Sequence, residues 1–80
     1  MKIGEAINKR ISELCTNRGI TVNKLATISG ITQSTLNNIV SGRNNSTTVS
    51  TVQKICDGLE ITITEFFCSD CFLNIEQEIE

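Results

Sequence analysis

The 80-residue chain is predicted to be all-α, with five helices packed as one compact domain. Three observations predict this. Apolar residues recur at steps of three and four along most of the chain, the helix period rather than strand alternation. Threonines stand ahead of the periodic stretches and glycines follow several of them, which is where helix caps belong. Only Ile61-Thr62-Ile63-Thr64 alternates as a strand would, and a single four-residue strand has no partner.

The first helix is expected over Ile3–Arg18. Ile7, Ile11 and Leu14 share a face, with Lys9, Arg10 and Glu13 placed elsewhere. Gly19 ends it, Ile20 folds back on the core, and Thr21 caps the second helix, Val22–Ser29. There the apolar stripe is Leu25, Ala26 and Ile28/Ser29. Gly30 stops that helix abruptly, Ile31 turns inward, and Thr32 caps a third helix over Gln33–Ser41, whose stripe is Leu36, Ile39 and Val40. Gly42 closes it, and Arg43-Asn44-Asn45-Ser46-Thr47 forms a polar loop.

Thr48 caps the fourth helix, Val49–Leu59, on which Val49, Val52, Ile55, Cys56 and Leu59 form the core stripe. Gly58 is placed near its end. Ile61 and Ile63 anchor the connection, and Thr62 or Thr64 caps a short fifth helix bearing Phe66 and Phe67. A further helix is open to the tail, Asp70–Glu80, with Asp70 as cap and Phe72, Ile75 and Ile79 on one face.

Val22–Gly42 organises the rest. Two short helices meet at one glycine, and Ala26, one turn before it, is small enough for them to cross closely. A sharp turn, a small crossing residue and apolar anchors on both sides describe a helix-turn-helix. Leu25-Ala26, Gly30-Ile31, Leu36, Ile39 and Gly42 match, in order and spacing, the pattern of phage-repressor-like regulators of the Cro and lambda repressor (XRE) type. The resemblance runs from about residue 7 to residue 67. It implies a lambda-repressor-like DNA-binding domain over residues 1–67, with the helix-turn-helix at 22–41 and an acidic tail at 68–80.

The exposed side of the third helix carries Gln33, Ser34, Asn37 and Asn38. Amides pair bidentately with adenine, and hydroxyls reach donor or acceptor edges. A solvated polar helix face is the plain alternative. The resemblance assigns base contacts to Gln33, Ser34 and Asn38, with Asn37 adjacent. Phosphate contacts are expected from Thr21 and Asn23 at the start of the second helix, where backbone N–H groups and the helix dipole favour an anion. Ser41, Arg43, Asn44 and Asn45 are expected to grip the backbone beyond the third helix. The family often has Gln where Val22 stands. Many members also join Arg and Glu at the positions of Cys15 and Val40. Both charges are absent together here, so Cys15 is expected to pack near Val40, since an apolar contact can replace a buried ion pair.

Composition bounds the function. A chain this short buries only about 60% of its surface on folding. No apolar run approaches the roughly 18 residues of a membrane span, and Met1-Lys2-Ile3-Gly4-Glu5 leads straight into a helix without a signal-peptide pattern, so a cytoplasmic location is expected. The formal charge is −2, yet residues 1–64 carry all seven Lys and Arg against four acids, a net of +3. Residues 65–80 carry five acids and no base. A mildly basic body suits DNA provided the tail points away.

The chain has four cysteines and no histidine. Cys15 and Cys56 read as small core residues. Cys68 and Cys71 form a CxxC pair, read as plain thiols, with a redox couple or a metal site shared between chains as alternatives. No cofactor and no resident metal are expected, and no residue set resembles a catalytic site.

Two functions are weighed. One is a sequence-specific DNA-binding regulator, a repressor acting on double-stranded DNA as a homodimer, with the Phe66/Phe67 region and the tail stripe as surfaces for self-association. The other is a protein-interaction module on the same fold, an antirepressor or antitoxin using its acidic tail.

Overall fold

A computed structural model describes residues 1–43 and 46–79. It contains α1 (Ile3–Arg18), α2 (Val22–Ser29), α3 (Gln33–Val40), α4 (Val49–Leu59), α5 (Ile63–Phe67) and a 3₁₀ turn at Asp70–Phe72. No strand occurs among the described residues. The radius of gyration is 11.9 Å, close to the ~11.6 Å expected for a compact fold of this length.

One three-residue connection is used three times. After α1 the chain runs Gly19-Ile20-Thr21, after α2 Gly30-Ile31-Thr32, and after α4 Glu60-Ile61-Thr62. In each, the first residue is left-handed, with φ of 65°, 69° and 57°. Two backbone bonds then close the helix end, as at Gly30 N–H to the Thr27 carbonyl and Ile31 N–H to the Ala26 carbonyl. This is the Schellman arrangement. The isoleucine packs against the core, and the threonine hydroxyl accepts from a backbone N–H of the next helix: Lys24, Thr35 and Glu65 respectively. Thr48 caps α4 through Thr51 in the same way. Glu60 holds the left-handed position without glycine's freedom, a conformation that crowds its Cβ.

The core gathers Ile7, Ile11, Leu14, Cys15, Leu25, Ala26, Leu36, Ile39, Val52, Ile55, Cys56, Leu59 and Phe66. Cys15 is buried in this cluster, and Val40, at the end of α3, packs against the same cluster. Burial raises the thiol pKa of Cys15, and burial followed by the neighbouring Asp57 charge raises that of Cys56. No helix among the described residues is long and apolar enough to cross a membrane.

Several positions differ from the periodic reading. Of the Ile28/Ser29 pair on α2, Ser29 is buried beside Leu25 and Ala26, while Ile28 faces solvent. The reason is Gly58 in α4. A Cβ there would lie 2.5 Å from Ser29 Oγ and 2.9 Å from the Ile28 carbonyl oxygen, so this glycine lets the two helix backbones meet. Val49 is 79% exposed because it opens α4, before the stripe meets the core. Arg10 is only 9% exposed. Its Nε donates to the Phe66 carbonyl at 2.7 Å and its Nη2 to the Glu65 carbonyl at 2.9 Å, closing the end of α5. Arg18 likewise donates to the Leu59 carbonyl at 2.7 Å, at the end of α4. Cations satisfy helix C-terminal carbonyls and complement the dipole there.

The tail is not a further α-helix. Ser69, rather than Asp70, caps the 3₁₀ turn. That turn carries Phe72 back onto Phe66 and Phe67, with ring centroids 6.2 and 4.9 Å apart. Beyond it the chain returns to the N-terminus. The Met1 ammonium pairs with Glu76 at 2.9 Å, and Lys2 Nζ donates to the Gln77 carbonyl at 3.3 Å. The hydrogen bond and charge of the terminal ammonium lower the Glu76 pKa. Aromatic stacking and terminal pairing therefore win over the helical stripe of Phe72, Ile75 and Ile79, and Ile79 is 86% exposed. Phe66 is fully buried, which removes it as an association surface, and Phe67 remains 38% exposed.

Candidate nucleic-acid interface

The Gly30 turn and the Thr32 cap stand α3 on the surface, held by buried Leu36 and Ile39. Gln33, Ser34 and Asn37 are exposed and Asn38 is half-buried. They occupy the side of α3 away from its anchors, which is what a helix entering a groove requires.

The side chains differ in what they leave free. Thr32 Oγ1 accepts the Thr35 N–H and donates to Thr35 Oγ1 at 2.7 Å. Asn37 Nδ2 donates to Asn23 Oδ1 at 3.0 Å and to the Gln33 carbonyl at 2.8 Å. Both of its N–H bonds are thereby engaged, leaving Oδ1 as an acceptor. The same bond engages the Asn23 side-chain oxygen, Oδ1, and leaves its NH₂ as a donor. Thr21 uses its oxygen to cap α2 and retains its O–H. Ser41 donates to the Asn38 carbonyl at 3.2 Å.

The sequence suggested the residue types at the start of α2 and on α3 but not the Asn23–Asn37 bond between them. These two residues lie 14 apart in sequence, beyond any helical period, so no local pattern announces the contact. Arg43 is exposed just beyond α3. Asn44 and Asn45, the other expected contacts of this loop, lie outside the described residues.

The positive charges divide by use. Arg10 and Arg18 close helix ends, and Lys2 faces the tail carbonyl of Gln77 and the Glu78 carboxylate. The side-chain charges of Lys9, Lys24, Arg43 and Lys54 have no hydrogen-bond or ion-pair partner among the described residues. An open groove of about 390 Å³ lies between α1 and the far end of α3, lined by residues including Lys9, Ser12, Val40 and Ser41. Gln33, Ser34 and Asn37 are not in its wall. The polar face of α3 is therefore a protruding surface and not part of this groove. Among the described residues, no group of three or more His, Cys, Asp or Glu is arranged to hold a metal ion.

A turn-linked helix pair presenting a polar second helix, on an all-helical five-helix body, defines a helix-turn-helix DNA-binding domain. Residues 10–68 match the family model of the Cro/C1-type HTH DNA-binding domain, and the chain belongs to that family. It is similar in structure to the prophage Lp1 protein 11, known from its crystal structure. The identity is 34%, the TM-score 0.78, and the match covers 94% of this chain and all of that one. No curated protein sequence matches it.

Proposed function

We propose that the protein is a sequence-specific DNA-binding regulator acting in the cytoplasm, a repressor that binds a palindromic operator as a homodimer with α3 in the major groove. The observation that carries this reading is the solvent-open amide and hydroxyl face of α3, on a domain of a DNA-binding family. One small module reads few base pairs. Two modules related by a two-fold axis read half-sites about one helical turn, ~34 Å, apart. Repression follows from occupying a site that other proteins need.

Within this reading, Gln33 and Asn38 offer an amide donor and acceptor to adenine, and Ser34 a hydroxyl to either kind of edge. Asn37 presents its Oδ1 to a donor such as adenine N6 or cytosine N4. Thr21, Asn23, Ser41, Arg43, Asn44 and Asn45 hold the phosphate backbone, Asn23 through the NH₂ group that its bond to Asn37 leaves available.

The protein works by binding rather than catalysis. The antirepressor or antitoxin alternative draws no support from the tail, whose Glu76 and Glu78 face the protein's own N-terminus. The test is selection from random duplex DNA by the purified protein, read by sequencing. The expected result is an inverted repeat with half-site centres one turn apart, bound in a salt-sensitive manner. Recovery of unenriched DNA, together with capture of a protein partner, would overturn the proposal.

A further inference from the structure

We propose that Cys68 and Cys71 form a peroxide-oxidisable dithiol, a modification site linked through Ser69 and Glu13 to the Arg10 clamp on α5.

The four thiols fall into two classes. Cys15 and Cys56 are buried, and burial favours their neutral form. Cys68 is exposed at the end of α5, and Cys71 is half-buried in the 3₁₀ turn. Only the second pair is reachable by a small oxidant from solvent, and sulfur oxidation follows access and thiolate character.

Cys71 sits in a directional chain of hydrogen bonds. The single hydroxyl proton of Ser69 is donated to Glu13 Oε1 at 3.0 Å. Ser69 Oγ lies 3.2 Å from Cys71 Sγ. With that hydroxyl proton already committed, the Cys71 S–H is the donor in this second contact. Glu13 in turn pairs with the Arg10 guanidinium, which closes the α5 carbonyls of Glu65 and Phe66. The chain engages the Cys71 S–H in a hydrogen bond, while Cys68 stands in solvent outside it. The two cysteines therefore have distinct tasks: Cys68 reacts first with the oxidant and Cys71 resolves.

The chemistry closes with a hydroperoxide as oxidant. The Cys68 thiolate attacks the peroxide: an S–O bond forms, the O–O bond breaks, and for hydrogen peroxide the departing hydroxide takes up a proton as water. The product is a sulfenic acid. Cys71 sulfur then attacks the Cys68 sulfur: the S–S bond forms, the S–O bond breaks, and the second hydroxide leaves as water with the Cys71 thiol proton. Two thiols lose two electrons in total and the peroxide gains them.

The experiment treats the full folded chain with stoichiometric hydrogen peroxide, then with N-ethylmaleimide. The protein is next unfolded, labelled with iodoacetamide and cut after glutamate. The Phe66–Glu76 fragment contains Cys68 and Cys71 alone. It is expected to be unlabelled and lighter by two hydrogen atoms, with Cys15 and Cys56 carrying only the second label. Cys71→Ser should stop at a Cys68 sulfenic acid that dimedone captures. Ser69→Ala should make Cys71 react severalfold faster with N-ethylmaleimide while Cys68 is unchanged, and protection of Cys15 and Cys56 reports that the fold is intact. Oxygen addition at Cys68 with Cys71 still alkylatable, or a disulfide between two chains, would overturn the dithiol. An unaltered Cys71 rate in Ser69→Ala would overturn the hydrogen-bonded link.

Discussion

Asn37 Nδ2 donates to Asn23 Oδ1 at 3.0 Å, joining the exposed face of α3 to the first turn of α2. The bond ties a residue beside the proposed base-reading positions to one at the proposed phosphate contact. It is exposed, so its net contribution to stability is near 0.5 kcal/mol, the low end for a hydrogen bond. Its larger effect is orientational. Asn23→Ala and Asn37→Ala should be non-additive in DNA affinity, the double variant losing little more than either single one. Independent losses that simply add would show that the two amides act separately.

Gln33 and Arg43 should fail differently. Gln33→Ala is expected to cost about 1–3 kcal/mol at one base position and to relax preference there. Arg43→Ala should weaken binding to every sequence and reduce the slope of log affinity against log salt by about one. Binding titrations at several salt concentrations, on the selected operator and on single-base variants, separate the two. A uniform loss for Gln33→Ala contradicts its reading role.

The contact of α2 with α4 at Gly58 should refuse a methyl group. Alanine is normally the better helix residue by about 1 kcal/mol, but here its Cβ meets Ser29 Oγ and the Ile28 carbonyl. Gly58→Ala is expected to destabilise by about 1–3 kcal/mol through forced backbone shifts. Ser29 Oγ is buried without a hydrogen-bond partner among the described residues. Ser29→Ala alone should thus be neutral or up to about 1 kcal/mol stabilising, and it should partly rescue Gly58→Ala. The check is urea unfolding of the two single variants and the double.

Glu60 supplies the third left-handed connection where Gly19 and Gly30 supply the others. A left-handed non-glycine residue costs roughly 1–2 kcal/mol, part of which glycine returns as greater freedom in the unfolded chain. Glu60→Gly should stabilise by about 1 kcal/mol and raise the melting midpoint by ~4–8 °C. A lowered midpoint would mean that the Glu60 side chain contributes more than its backbone strain removes.

The buried thiols set a limit at alkaline pH. Burial, reinforced at Cys56 by Asp57, raises their folded pKa. The stability this gives is full below the unfolded thiol value of about 8.5. It is lost as pH rises through the folded values, because the unfolded chain releases those protons first. The melting midpoint should fall above about pH 8.5, and the fall should be shallower in Cys56→Ala than in the parent. Parallel curves for the two proteins would argue against a role for this thiol.

What the sequence determined by itself is local. Thr21, Thr32 and Thr48 cap because a hydroxyl beside the first free N–H groups needs no distant partner, while the choice of Thr62 over Thr64 at α5 came from the structure. Gly19 and Gly30 terminate helices because positive φ is a property of one residue, and periodic Leu and Ile select the buried face. The same period placed the polar face of α3 opposite Leu36 and Ile39, and the resemblance assigned base contacts to it. Tertiary structure alone decided the rest. Arg10 was only set apart from the apolar face of α1, yet it closes α5 through carbonyls 55 and 56 residues away. Gly58 had no visible purpose until Ser29 came against it. The tail's helical stripe was outcompeted by Phe66 and Phe67 drawing Phe72 back, and by a terminal ammonium meeting Glu76. The Asn23–Asn37 bond exists only because the Gly30 turn crosses two helices. Caps and periods are written in neighbouring residues, whereas the partners of a guanidinium, an amide or a bare backbone are chosen by the packing of distant ones.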